Sequence, residues 1–481
     1  MRPLTDHITL RIPRTIRENI EAKLLWDVPN WVQKPSVDKF LYIISKIITL
    51  SSENRKYARL KLVPLSSIVL RHELGKHYRK YIDWLITNKF IETDNHYVVG
   101  NPERDGKCKC FGISKVFKSK KLIGFQLQDN FILKKLLNWR KTKLSETVED
   151  PLMARLYTMM SSFSIDMESA TAELDSLLES KSISQKQYDL ELMKCQKING
   201  DADDSTDLFI VKDQYSRVHT NITNISKRIR EKHLYVGGKK AVGIDIVSSQ
   251  PALLHSLFQD YINRIELLSD DVRSSQLYIE LGDCRRDVRA KYNNTRNSYD
   301  GDAIFDPDSE VALSKLGCAT FDVCLSSLQS EVSYFEQSLV GMGIYEFFQD
   351  QWSMFNDNGD IDRDEMKTLW LSYVFGRGNG HRMAPKVEDM AKIWRVCFPM
   401  LDKLLNYFKV GDYKTLAHNL QRKEADLMYN KVCPRVEKEF GVSFSTVHDS
   451  IIVEESIMNE VADLFDEILE ENSICTTTSM Y

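Results

Sequence analysis

An acidic residue inside an apolar run constrains this chain more than any other feature. Residues 444–455 read FSTVHDSIIVEE. Val, Ile, Phe and Thr predict a strand, and His448, Asp449 and Ser450 sit in its middle. A charged carboxylate among buried β-branched neighbours is costly unless something pairs with it.

A second stretch poses the same problem. KKAVGIDIVSSQPALLHSLF, residues 239–258, predicts an apolar strand carrying Asp245, then a Ser-Ser-Gln-Pro turn and a helix. Two carboxylates about 4 Å apart repel by roughly 4 kcal/mol at an effective dielectric of 20. Bridging divalent cations remove that repulsion, and a metal pair is a standard device for in-line phosphoryl displacement. Oxygen-only ligation favours Mg²⁺, with Mn²⁺ able to substitute. Two unrelated strand carboxylates remain the alternative if these stretches stand alone.

A third stretch, RDEMKTLWLSYVFG at 363–376, predicts a helix on which Arg363, Lys367, Leu371 and Phe375 recur every four residues. The stripe is cationic in its first half and apolar in its second. It suits a triphosphate on Arg363 and Lys367, with base and sugar against Leu371 and Phe375. A solvated charged face is the plainer alternative. Gly376 ends the helix and begins the flexible tract GRGNGH. The neighbouring FNDNGDIDRDE has the spacing of a calcium-binding loop, but Met354 stands at its first ligand position, so Asp360–Asp364 is expected to cap the helix.

Together these stretches resemble the family A nucleic-acid polymerases, which include the DNA polymerase I-like enzymes and the single-subunit phage RNA polymerases. The order matches that family's motifs A, B and C: an Asp opening a strand-to-helix turn, an Arg-x3-Lys-x7-aromatic-Gly helix, and a His-Asp strand. Two weaker segments fit as well, YSRVHTNITNISKRIR (215–230) before motif A and NLQRKEADLM (419–428) before motif C. The resemblance spans about residues 205–481. It implies a helix-rich α+β right-hand fold of palm, fingers and thumb. It also implies two Mg²⁺ ions on Asp245, Asp449 and the Ile246 backbone carbonyl, with Asp245, Asp449, Lys367 and Arg363 catalytic. Gln250, Arg363, Lys367, Leu371, Phe375 and Gly376 would bind the nucleotide, and Arg217, Gln421 and His448 the primer and template. The implied partners are a DNA primer-template, dNTPs and other replication proteins, and the implied source is a phage or mobile element.

The N-terminal part differs. The net charge of −4 conceals 29 Lys+Arg against 16 Asp+Glu in residues 1–150, which points to a polyanion, most simply nucleic acid. Within PLSSIVLRHELGKHYRKYIDWLITNKFIETDNHYVVG (64–100), two short helices flank Gly75. Val69, Leu70 and Leu74 are expected to pack on Ile82, Leu85 and Ile86, leaving Arg71, Lys76, Arg79 and Lys80 outward to touch nucleic acid. Ile91-Glu92 and Tyr97-Val98-Val99 predict a hairpin turning at Asp94-Asn95. This unit resembles the winged helix-turn-helix of replication and regulatory proteins. FGISKVFKSKKLIGFQLQDN reads as further strands, and ESATAELDSLLESKSISQKQYDLELMKCQK as a helical hairpin broken near Ser182–Ser184.

The expected domains are a basic winged-helix-like unit at 1–148, a helical-hairpin thumb at 149–204, palm at 205–260 and 400–481, and fingers at 261–399. No apolar run is long enough to cross a bilayer, and the first residues lack a signal-peptide core, so a cytoplasmic protein without membrane partners is expected, in the host cytoplasm if viral or plasmid-borne. Nine scattered cysteines predict reduced thiols rather than a zinc site. Residues 1–145 resemble a winged helix and leave no room ahead of the palm for the three-carboxylate exonuclease domain that many members of the family carry, so no 3′→5′ proofreading is expected.

Departures from the family bear on the choice of nucleotide. Gln250 stands where family A DNA polymerases place a Glu that crowds the ribose 2′ position, and its bulk favours deoxynucleotides. Phe375 replaces a Tyr and cannot hydrogen-bond that gate residue. Leu371 replaces an aromatic, and Ser450 follows Asp449 as in the RNA polymerases. The expected activity is a DNA-directed DNA polymerase. The alternatives are an RNA polymerase or primase-like enzyme using rNTPs on the same scaffold, and a non-catalytic replication initiator. The tail TTTSMY is expected to form a rudimentary closing strand.

Overall fold

The computed structural model describes residues 7–27, 29, 35–53, 62–97, 108–117, 121–200, 210–213, 215–267, 321–355, 360–377, 383–409 and 412–481. They form a helix-rich α+β protein whose buried apolar side chains fall into two clusters, one N-terminal and one C-terminal. No described helix is long and apolar enough to cross a membrane.

In the N-terminal unit, helix Val37–Glu53 carries Phe40, Leu41, Ile43, Ile44, Ile47 and Ile48 at helical spacing, and all six are buried. Around it pack helix Ser67–Leu74, capped by Ser66 and ended at Gly75 with φ +84°, and helix Tyr78–Thr87, which buries Tyr81, Ile82, Trp84 and Leu85. Strand Cys110–Ile113 lies between Val63–Pro64 and Ile91–Thr93, antiparallel to both.

Two expectations need correction here. Ile91–Thr93 pairs with Cys110–Ile113. The Asp94 carboxylate accepts from the Cys110 amide (2.9 Å), which fixes that return strand beside it, while Tyr97 is exposed and in no strand. Val98 and Val99 lie outside the described residues. Val69 is also exposed, whereas Leu70 and Leu74 are buried, because the helix is only two turns long and turns one narrow face inward. Arg71, Lys76, Arg79 and Lys80 are all exposed.

The C-terminal unit centres on an antiparallel six-stranded sheet. Its path runs Ser445–Val447, Ser450–Glu454, Lys239–Ile246, Leu234–Val236 and Phe163–Ile165, and Thr478–Met480 also pairs with Lys239–Ile246. The central strand is entered through Gly237 and Gly238, both at positive φ, which permits the tight turn from Leu234–Val236. Gly243 is required for a different reason, since a Cβ there would lie 2.3 Å from the Tyr481 ring. The tail strand is short, as expected, yet it seats the last residue of the chain against the central strand. Helices 321–340, 344–355, 363–374 and 385–397 join through the aromatic side chains of Phe335, Phe348, Trp370, Trp394 and Phe398.

The helical hairpin is formed by Met167–Glu179 and Gln185–Asn199, with a capping box at Ser184 and a left-handed Gly200. It is packed rather than projecting. Leu190 and Met193 join the N-terminal cluster, while Cys195 and Ile198 join the C-terminal one. The segment before it contributes the strand Phe163–Ile165, whose alternation of buried and half-buried residues suits a sheet edge.

Candidate active site

The central strand and its neighbour bring the two aspartates together. Asp245 lies opposite Ser450 in the antiparallel register, and the Ile246 amide donates to the Asp449 carbonyl (3.3 Å). The position of Asp449 differs from expectation. His448 and Asp449 form the two-residue turn between Ser445–Val447 and Ser450–Glu454, with Val447 paired to Ser450 and His448 at φ +56°. A turn escapes the buried sheet face, so Asp449 is half-buried and His448 has solvent on one side.

The Asp245 carboxyl lies close enough to Asp449 to feel its charge. Burial first, and the Asp449 charge second, raise the Asp245 carboxyl to about 7 against the pull of Lys227 and Lys367. Asp245 Oδ1 is buried with no hydrogen-bond partner in the protein. Ile246 is buried and in register with Thr478.

A third carboxylate belongs to this cluster and was missed in the sequence. Glu424, on helix Lys414–Asp426, is buried and accepts at Oε2 from Arg217 Nη2 and from Gln250 Nε2, each at 2.7 Å. Its Oε1 has no protein partner. Burial and the Asp449 charge raise its carboxyl to about 7, while Arg217 pulls the other way. A signal was present: Leu416, Leu420 and Glu424 follow at four-residue steps, so the buried stripe of that helix runs into the glutamate. Gln421 lies three residues earlier and is half-buried.

Of the cationic stripe, Lys367 acts by its charge on Asp245. Helix Arg363–Val374 begins at Asp362, whose carboxylate accepts from the Glu365 amide (2.8 Å), as expected for a cap. Of the calcium-loop-like stretch, 356–359 lie outside the described residues. Met366, Leu369, Trp370 and Tyr373 fill the core, leaving Arg363 and Lys367 exposed and Leu371 and Phe375 half-buried. The Arg363 guanidinium pairs with Glu346 and lies 5.2 Å from the centre of the buried Tyr345 ring, and Lys367 Nζ lies 5.8 Å from it. Tyr345 was not singled out in the sequence, where it reads as one more aromatic of an apolar helix. Gly376 admits no Cβ, which would fall 2.3 Å from the Ser372 carbonyl. Residues 378–381 of the following Gly-rich tract lie outside the described residues.

Arg217 and His448 share the other side. The Arg217 amide donates to Asp213, the His219 ring bonds the same carboxylate (3.1 Å), and His219 meets His448 edge-on at 5.7 Å. Partial desolvation lowers the His448 pKa, and the Arg217 and His219 charges lower it further. The basic residues Arg71, Lys76, Arg79 and Lys80 belong to the separate N-terminal unit and are not part of this cluster.

No protein-family model matches the sequence, and no curated protein matches it. Among solved structures, the chain is similar to the polymerase domain of Pol1 from M. smegmatis in complex with DNA primer-template and dNTP. The TM-score is 0.29 at 13% identity, covering 73% of this chain and 72% of that chain. A likeness this slight carries neither fold nor activity to the present protein.

Proposed function

We propose that the chain is a template-directed nucleotidyltransferase, most simply a DNA-directed DNA polymerase of the family A type that uses two Mg²⁺ ions. One observation carries this: two aspartates some 200 residues apart in sequence become neighbours, Asp245 on the central strand and Asp449 in the turn before the strand paired to it, with the Lys367 charge acting on Asp245. Leaving two half-buried carboxylates in contact destabilises the fold, and a cation site gives that arrangement a use.

The residues fit divalent metal. Asp245 Oδ1 is an orphaned buried oxygen, and the donor set is oxygen only, the chemistry of Mg²⁺ or Mn²⁺. Asp245, Asp449 and the Ile246 carbonyl would hold it. When bound, the metal would supply charge neutralisation at the attacking and leaving oxygens of a phosphoryl transfer.

The protein's own side chains supply the rest. Lys367 and Arg363 receive the triphosphate of the incoming nucleotide and offset charge on the leaving pyrophosphate. Leu371, Phe375 and Gly376 form the floor for sugar and base. His448 and Gln421 meet the primer-template, and Arg217 reaches it through the edge not bonded to Glu424. Gln250 crowds the ribose 2′ position. The Phe375 ring cannot hydrogen-bond Gln250, but Glu424 does, at 2.7 Å, so the gate is braced by that carboxylate instead.

In this account the palm comprises about 205–260 and 400–481, the fingers 261–399, and the thumb 149–204. The palm then also includes the Phe163–Ile165 strand, and the thumb is the packed helical hairpin. Residues 1–148 act as a winged-helix unit on nucleic acid. The order helix, strand, helix, helix, strand, strand, with the last strand central in its sheet, supports that assignment, as do the exposed Arg71, Lys76, Arg79 and Lys80.

An RNA polymerase or primase-like enzyme on the same scaffold is the second reading. Ser450 favours it: its hydroxyl bonds the Tyr481 hydroxyl (2.9 Å) where a DNA polymerase has a carboxylate. The deciding experiment is extension of a labelled primer on a DNA template with dNTPs or rNTPs. The proposal expects dNTP preference, relaxed by Gln250→Gly. Clear rNTP preference by the intact protein would establish the second reading instead.

A further inference from the structure

A second cluster of ligand-type side chains shares no residue with the acidic pair. His255 comes from helix Ser249–Leu267, Glu336 from helix Phe321–Val340, and Cys475 from the segment leading into the tail strand. One ligand atom from each lies within 4.8 Å of the other two, and among the described residues no other trio of His, Cys, Asp or Glu does so.

The imidazole is the telling member. His255 is 2% exposed, and neither ring nitrogen has a hydrogen-bond partner in the protein. Glu336 Oε2 lies 3.8 Å from His255 Nε2, too far for a hydrogen bond. Glu336 Oε1 meets the Cys475 sulfur at 3.1 Å.

We propose that His255, Glu336 and Cys475 form a binding site for one borderline transition-metal ion, with Zn²⁺ the natural occupant. Nitrogen, sulfur and carboxylate oxygen are the donors that Zn²⁺ accepts, and three protein ligands leave a position for water. Charge also balances: a thiolate and a carboxylate neutralise a divalent ion, so a buried site carries no net charge. On binding, the thiol proton leaves to solvent and the sulfur–metal bond replaces the sulfur–glutamate hydrogen bond. The Glu336 side chain is 44% exposed, which gives the ion and the proton a way in and out.

The ion would fasten the tail to the body of the protein. Cys475 lies three residues before Thr478–Met480, the strand that pairs with Ile244–Ile246 beside Asp245. Mg²⁺ does not compete well for thiolate and imidazole, so this metal and the one proposed for the aspartates are distinguished by ligand chemistry.

The test uses the full chain, freed of metal by chelation and purified without a histidine tag. Zn²⁺ content is measured by mass spectrometry, and Co²⁺ is titrated as a spectroscopic stand-in. The expected result is one tightly held equivalent of Zn²⁺ and a sulfur-to-cobalt charge-transfer band in the near ultraviolet. Cys475→Ser should abolish the band and weaken Zn²⁺ binding by roughly tenfold or more. Cys108→Ser with Cys110→Ser should leave both unchanged. Because Cys475→Ser is nearly isosteric, its fold can be checked by circular dichroism, and Glu336→Gln provides a second ligand variant on a half-exposed position. Substoichiometric Zn²⁺ with no thiolate band, or a band that survives Cys475→Ser, would overturn the proposal. Neither outcome depends on polymerase activity.

Discussion

The two units of this protein handle charge in opposite ways. In the N-terminal unit, Arg71, Lys76, Arg79 and Lys80 stand in water on the outside of two short helices, where their charge costs the fold almost nothing. In the C-terminal unit, Asp245 and Asp449 are half-buried against each other, with buried Glu424 close enough to feel both. Inexpensive charge is weak testimony, since any soluble face carries it. Expensive like charge is strong testimony, because such a cluster weakens the fold unless a ligand or a reaction uses it.

The largest expected effect sharpens that contrast. Asp245→Asn or Asp449→Asn should each lower primer extension by roughly 10³-fold, while DNA retention, read by fluorescence anisotropy, stays within about twofold. Loss of both together would merge the two units' roles and break the comparison. Lys367→Ala follows at on the order of 10²-fold in kcat/KM for the nucleotide.

The N-terminal counterpart is smaller and of a different kind. Lys76→Glu with Arg79→Glu should weaken DNA binding about tenfold and reduce the log–log salt slope by roughly 1–2, leaving the maximal rate at saturating primer-template unchanged. A fall in maximal rate with an unchanged salt slope would place those residues in the chemistry instead.

The smallest effect concerns stability. In metal-free buffer Asp245→Asn should stabilise the fold by about 1–2 kcal/mol at neutral pH, measured by urea denaturation. The sign follows from linkage. The parent carboxyl, raised in the folded state to about 7 from 3.8, binds its proton more tightly folded than unfolded. Parent stability therefore falls as pH rises from about 4 to 7. The advantage of the variant should grow over that interval and level off above it. A variant less stable than the parent at every pH would mean that the aspartate is a structural anchor.

Legibility in the sequence follows the same division. Asp245, Asp449 and the Arg363–Phe375 stripe could be singled out because each breaks or decorates a strong local period, and the strand Lys239–Ile246 and the helix Arg363–Val374 formed where those periods predicted. The His448–Asp449 turn was misplaced because a two-residue turn of polar residues between apolar strands looks, in sequence, like one interrupted strand. The pairing of Ile91–Thr93 with Cys110–Ile113 was not legible because the two segments are far apart in sequence, and the Asp94 carboxylate that accepts from the Cys110 amide reads locally as a turn residue. Glu424 sits in QRKEAD, where burial shows only through the four-residue spacing from Leu416 and Leu420. Tyr345 and the His255–Glu336–Cys475 cluster depend on contacts between distant helices, and no local pattern reports those.

The central claim is that Asp245 and Asp449 serve nucleotide addition to a nucleic-acid 3′ end. Its most direct test is extension of a labelled DNA primer annealed to a longer DNA template by the full chain with Mg²⁺ and dNTPs. The account predicts stepwise, template-matched growth that disappears on chelation and in Asp449→Asn. No growth with Mg²⁺ or Mn²⁺, for any nucleotide set, from a preparation that binds the primer-template, would contradict it.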